Sequence, residues 1–224
     1  MSDFCSTLFG QNESTDEIDE IHKYEIAREK NNIDILIYGK NNIYIIENKI
    51  DSMIQVYDKS LTDERIKKTV ENICKQLDIK NEKEIETIKE YINNNAHAKG
   101  FSQLSKYYIY ALSYIYKKTK SFESSAIHCA ILMPNYSIGN IIDIAKIHGG
   151  ETLFATKYKL VSYRTIKQFF DEKLQEKSSM DEYCLISNFK RELEILSSEF
   201  DNNTEMLELV KFVNRLKELA GQPS

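Results

Sequence analysis

Two short runs of β-branched and aromatic residues constrain this chain more than anything else in it. Ile33-Asp34-Ile35-Leu36-Ile37 and Tyr44-Ile45-Ile46-Glu47-Asn48-Lys49-Ile50 stand on either side of Gly39-Lys40-Asn41-Asn42. Such runs around such a turn predict a β-hairpin. With Lys40 and Asn41 as the two-residue loop, counting outward sets Gly39 opposite Asn42, Ile37 opposite Tyr44 and Asp34 opposite Glu47. Side chains alternate along a strand, so Asp34, Glu47 and Lys49 share one face of the sheet. Opposed carboxylates repel by about a few tenths of a kcal/mol, and burying one without a partner costs roughly several kcal/mol more. A divalent cation with a lysine beside it compensates both terms. The plainer reading of the same three residues is a metal-free salt-bridge triad.

Composition narrows the setting. Seven glycines and two prolines in 224 residues argue against disorder and against an all-β chain with many tight turns. A net charge of −5 argues against a surface coated in positive charge, although 30 lysines and arginines leave room for a local basic groove. Cysteines 5, 74, 129 and 184 show no zinc-ligand spacing, and Cys129 reads as a small core residue. No basic segment followed by a long apolar one marks a signal peptide, and no apolar run reaches the length of a membrane span. A cytoplasmic protein with reduced thiols and no membrane partner is expected.

Along the chain, His22 to Arg28 reads as a first strand with Glu25 in its middle, and the hairpin follows. Residues 52–100 change character to a Lys/Glu-rich helical insertion, with helices predicted over Asp63–Leu77 and Glu82–Asn93 from Ile66, Val70, Ile73, Leu77 and Ile85, Ile88, Ile92. A strong helix is predicted over Phe101–Thr119, a buried strand over Ala126–Met133 ended by Pro134, and a further strand over Tyr158–Ser162. Short helices over Ile138–His148 and Thr165–Glu176, then Asp181–Phe200 and Glu205–Leu219, complete the chain, residues 164–220 forming C-terminal helices. The expected architecture is one α/β domain over residues 1–224, with a central mixed β-sheet flanked by helices.

The hairpin words resemble the PD-(D/E)xK nuclease superfamily, in the branch where "IDILI" and "IENKI" recur and a "QLxxY" helix lies downstream. Gln103-Leu104-Ser105-Lys106-Tyr107 matches that helix. The likeness covers roughly Tyr24 to Asp51 and Phe101 to Met133. It implies a restriction-endonuclease-like core and a Mg²⁺- or Mn²⁺-dependent hydrolase of phosphodiester bonds, with DNA favoured over RNA. Nucleic acid is then the partner, with a homo-oligomer or a second protein as a further source of grip. Departures are Ile33 in place of the motif's proline, Asn32 in place of a frequent arginine, and the insertion itself.

Carried over residue by residue, Asp34 and Glu47 are hard oxygen ligands, the Asn48 carbonyl is a third, and Glu25 stands where the branch has an additional acid. Lys49 orients the attacking water or steadies the developing charge. The resemblance implies that Gln103 braces the site near Lys49 and that Tyr107 helps place the scissile strand. Glu25 read alone is equally an exposed strand residue. His128 reads as a satisfied core histidine, and the tyrosines from Tyr107 to Tyr116 as packing more than as a base-stacking platform. The insertion's lysines, Lys67, Lys68, Lys75, Lys80, Lys83 and Lys89, read as a solvated face matched by acids, with a wall over a substrate channel as the functional alternative. The alternative to an enzyme is a non-catalytic nucleic-acid- or protein-binding module that retains the nuclease fold.

Overall fold

The computed structural model describes residues 8–9, 25–30, 32–49, 56–58, 62–95, 100–134, 152–175, 187–188 and 193. The helices expected at Ile138–His148, Asp181–Phe200 and Glu205–Leu219 lie almost wholly outside these residues. Strands β1 (Glu25–Lys30), β2 (Ile33–Tyr38) and β3 (Ile43–Asn48) form an antiparallel meander. A three-residue strand β4 (Val56–Asp58) leads to helices α1 (Asp63–Gln76) and α2 (Glu82–Asn94). Then come β5 (Phe101–Ser102), helix α3 (Gln103–Thr119), β6 (Ile127–Met133), β7 (Tyr158–Ser162) and helix α4 (Tyr163–Gln175). The main sheet has the order β1-β2-β3-β6-β7, with β6 parallel to both β3 and β7. It is therefore a mixed five-stranded sheet in an α/β arrangement.

Each face of the sheet has its own core. Leu36, Tyr38, Ile43, Ile45, Ile127 and Cys129 meet α1, α2 and α3 on one face. Ile37, Tyr44, Ile46, Ala130, Leu132 and Val161 cover the other, together with Tyr163 and Ile166 of α4. Every residue of β6 is buried, as its unbroken apolar run predicts for a central parallel strand. His128 lies in that strand and stacks on Tyr44 at 4.8 Å between ring centres, a core histidine. Burial lifts the Cys74 thiol to about 11 and pushes Cys129 higher still, so both are inert core residues.

The helices of residues 52–100 are integral to the fold. Ile66, Val70 and Ile73 of α1 and Ile88 and Ile92 of α2 belong to the same apolar cluster as Leu36 and Ile45 of the sheet. Thr62 and Asn81 cap the two helices by accepting from Arg65 N and Lys83 N, and acids fill both first turns. Lys117 of α3 donates to the carbonyl of Leu77 at 2.7 Å, tying the end of α1 to the central helix. At the base, β4 pairs with β5 in a two-stranded ribbon. That pairing makes Phe101 and Ser102 extended, where a helix is predicted from Phe101. Ser102 serves instead as the cap of α3, in a reciprocal capping box with Ser105.

The hairpin register is the predicted one: Ile37 pairs with Tyr44, and Gly39 N donates to Asn42 O at 2.8 Å. The first strand differs. It extends to Lys30, so that only Asn31 and Asn32 separate it from β2, and Asn32 takes a left-handed φ of 65°. Asparagine tolerates that conformation better than most residues, and a two-residue connection demands it.

Candidate metal and catalytic centre

The candidate site lies where β2 and β3 part, at the C-terminal end of β3. In the register Ile35↔Ile46, Asp34 faces Glu47 across the strand pair. Hydrogen-bonded pairs recur at every second position of an antiparallel ladder, and Gly39/Asn42 sets the phase. Asn48 would therefore be the next residue to pair with β2. Its N–H instead donates to Asp34 Oδ2 at 2.7 Å, so the carboxylate ends the ladder in place of a backbone carbonyl. The N–H and C=O of one strand residue point to the same edge, which turns the Asn48 carbonyl towards Asp34. On the other edge Lys49 N donates to Leu132 O at 2.8 Å, which holds residue 49 against β6.

Glu47 is 1% exposed and Lys49 is 7% exposed, an ion pair with Lys49 Nζ 2.6 Å from Glu47 Oε1. Gln103, at the first position of α3, spans both: its Nε2 donates to Glu47 Oε1 at 2.8 Å and its Oε1 accepts from Lys49 Nζ at 3.3 Å. The same Nε2 donates to Tyr107 OH at 2.6 Å, and the Tyr107 hydroxyl donates to the Asn32 carbonyl. On the far side the Tyr163 hydroxyl donates to Asn48 Oδ1. Burial raises the Glu47 carboxyl above its ordinary value. Lys49 opposes that rise through its hydrogen bond and charge, and Asp34 adds to it.

One atom is left out of this network. Glu47 Oε2 is buried and has no hydrogen-bond partner. Leaving a charged oxygen in that state costs about 1–3 kcal/mol or more. Asp34 has no ion pair among the described residues, so the three side chains form a Lys49–Glu47 pair and a separate carboxylate, not a closed triad. An unpartnered oxygen of Glu47, the opposed carboxylate of Asp34 and the Asn48 carbonyl make a hard oxygen set suited to Mg²⁺ or Mn²⁺. The residues fit the group. Among the described residues no group of three or more His, Cys, Asp and Glu converges, so a cation here would complete its shell with water.

Two sequence expectations change. Glu25 is not beside this set: β1 places it opposite Tyr38, exposed on the edge strand, four residues along β2 from Asp34. At the rise of a strand that is roughly 13 Å away. The cause is the short Asn31-Asn32 connection, which puts residue 29 of β1, not residue 25, at the level of Asp34. Tyr107 is brought to the site but is 2% exposed, with its hydroxyl engaged by Gln103 and Asn32. It positions Gln103 and has no free face for a strand. Two contributors lie outside the motif words: Tyr163, which reaches Asn48 from another layer, and the Asn32 carbonyl. The consecutive asparagines at 31 and 32 are the one cue to the latter.

Compared with protein-family models, characterised proteins and solved structures, the chain shows no match.

Proposed function

We propose that the chain is a cytoplasmic metal-dependent nuclease with a restriction-endonuclease-like core, hydrolysing phosphodiester bonds of DNA in preference to RNA. The observation that carries this reading is the buried, unpartnered Oε2 of Glu47, a residue that stands opposite Asp34 and whose Oε1 pairs with the buried ammonium of Lys49. Asp34, Glu47 and the Asn48 carbonyl would hold Mg²⁺ or Mn²⁺. Such a cation lowers the pKa of its water and neutralises charge developing on a phosphoryl oxygen. Lys49 supplies a fixed positive charge beside the attacked phosphate, in a water-poor setting where it acts more strongly than in bulk solvent. Gln103 sets the rotamers of both Glu47 and Lys49 through one amide, and Tyr107 fixes Gln103 in turn. Such support keeps a reacting constellation within the tolerance that catalysis needs.

A second reading is a binding module that keeps the fold without the chemistry. The observation in its favour is the Lys49–Glu47–Gln103–Tyr107 network itself, which is satisfied except at one atom. The test is incubation of circular and linear single- and double-stranded DNA, and of RNA, with Mg²⁺, Mn²⁺ or EDTA. Cutting that requires the metal and is lost in Glu47→Gln supports the nuclease. Intact substrates throughout, with the protein folded, favour the binding module.

A further inference from the structure

Helix α1 sorts its residues onto distinct faces. Ile66, Val70, Ile73 and Cys74 are buried in the core. Arg65, Lys68, Thr69, Asn72, Lys75 and Gln76 recur at the i, i+3, i+4, i+7 spacing of one helix face. That face lines a cavity of about 590 Å³, closed on its other side by Phe101 of β5 and Lys106 of α3. Among the described residues that line it are four cations and no carboxylate, in a chain whose net charge is −5. Lys80 pairs with Asp78 at 3.0 Å, Lys89 with Glu71 at 3.2 Å, and Lys120 with Glu84 at 2.8 Å, whereas Lys67 and Lys83 make no ion pair among the described residues. Among the described residues Lys68, Lys75 and Lys106 make no ion pair. The expectation of an acid-matched face therefore holds for Lys80 and Lys89, and not for Lys67, Lys68, Lys75 and Lys83, of which Lys68 and Lys75 lie on this face of α1.

Two lining residues connect the cavity to the candidate centre along the chain. Phe101 and Lys106 flank Gln103 in sequence, and Lys106 lies three residues along α3 from it, a rise of about 5 Å. Arg65 lies over the Phe101 ring at 5.6 Å, which steadies its guanidinium at the cavity wall. Thr69, Asn72 and Gln76 add hydrogen-bonding groups between the charges. Clustered cations with interspersed amides and a hydroxyl match the phosphates and sugars of a polynucleotide backbone, without a means of reading base identity.

We infer that this cavity between α1 and the start of α3 is a phosphate-binding groove that holds the backbone of a nucleic-acid strand on its way to the Asp34–Glu47 centre. The choice of ligand rests on the nuclease reading. The groove assigns a task to the helices of residues 52–100 beyond building the core. A free nucleotide shares the phosphate chemistry, and a polynucleotide is favoured because the cations spread along more than two turns of helix, from Arg65 to Lys75.

The test is fluorescence anisotropy of a labelled DNA oligonucleotide in EDTA, measured against salt concentration, for the wild type, Lys68→Gln/Lys75→Gln, Lys106→Gln and the control Lys80→Gln. Each lost phosphate contact lowers the slope of log K against log[salt] by about 0.7–0.9, which at 0.1 M salt is a loss of about 5- to 8-fold in affinity. The double variant is expected to bind roughly 25- to 60-fold more weakly, with the control unchanged. Binding by the groove variants equal to the wild type overturns the inference, as does a wild type that binds no oligonucleotide. Displacement of the oligonucleotide by micromolar inorganic phosphate or nucleoside triphosphate overturns the strand assignment in favour of a free nucleotide. Metal-dependent cutting by the wild type is read in parallel. Cutting with salt slopes unchanged in the variants removes the groove and leaves the nuclease, whereas weakened variants with no cutting keep the groove and remove the nuclease.

Discussion

Replacing Lys49 by methionine keeps the volume of the side chain and removes its charge, so it isolates what the ammonium does for Glu47. Glu47 is 1% exposed and its Oε1 rests 2.6 Å from Lys49 Nζ. Breaking a buried ion pair from one side costs about 3–5 kcal/mol when the remaining charge cannot escape. Glu47 can escape by taking up a proton, and that caps the cost. Protonating a carboxyl whose ordinary value is 4.5 costs about 1.4 kcal/mol for each pH unit above it. The charge penalty of Lys49→Met is therefore at most about 4 kcal/mol at pH 7.5 and under about 1 kcal/mol at pH 5. The sign follows from the direction of the shift. Burial raises the folded-state value of Glu47, so the stabilisation from its protonated form is fully present below the unfolded value and is lost as pH rises through the folded one. Removing Lys49 lifts the folded value further and widens that window upward. Thermal melts in EDTA at both pH values, wild type against variant, provide the assay. For a chain of this size about 1 kcal/mol corresponds to roughly 2–4 °C, so the deficit at pH 7.5 exceeds that at pH 5 by up to about 6–12 °C. An equal deficit at the two pH values, or a larger one at pH 5, refutes the reasoning.

Tyr107→Phe removes the hydroxyl shared by Gln103 and the Asn32 carbonyl; a stability loss of about 1–3 kcal/mol is expected in urea melts, with slower metal-dependent cleavage, and an unchanged midpoint contradicts the assigned positioning role. Tyr38→Phe leaves the buried Tyr110 hydroxyl without its 2.9 Å partner at the far end of β2 from Asp34, and is expected to cost about 1 kcal/mol with cleavage unaltered; a loss of cleavage at full stability contradicts the placing of the site. Ser102→Ala breaks the capping box of α3, at a cost of about 0.5–2 kcal/mol, and loosens the turn that presents Gln103, so cleavage should fall at temperatures well below melting; full cleavage there opposes the view that this cap matters to the site.

How far these elements were legible follows from which forces are local. The β2–β3 register depends on one tight turn and two apolar runs, both local, and it places Asp34 opposite Glu47 as counted. The helices of residues 63–94 depend on apolar spacing and caps, also local. Glu25 is assigned to the site by the resemblance alone, and no strong local signal sets the β1–β2 register that places it opposite Tyr38. That register follows from the Asn31-Asn32 connection, a weaker signal than the turn at Lys40-Asn41. Helical spacing starts α3 at Phe101, two residues before the observed Gln103, because β4 recruits Phe101 and Ser102 into a ribbon from a distant part of the chain. Tyr163 on Asn48, and Lys106 with the basic face of α1, become neighbours only through packing of separate layers. The apolar periodicity that identifies a helix says nothing about what its polar face meets.

The central claim is that the unpartnered oxygen of Glu47 and the opposed carboxylate of Asp34 form a divalent-cation site. Calorimetric titration of Mn²⁺ into the wild type and into Asp34→Asn tests it most directly, since the amide oxygen of the substituted side chain would still accept from Asn48 N and spare the fold. The account predicts saturable binding by the wild type and a large loss of affinity in the variant. Equal binding by the two proteins, or none by the wild type, contradicts it.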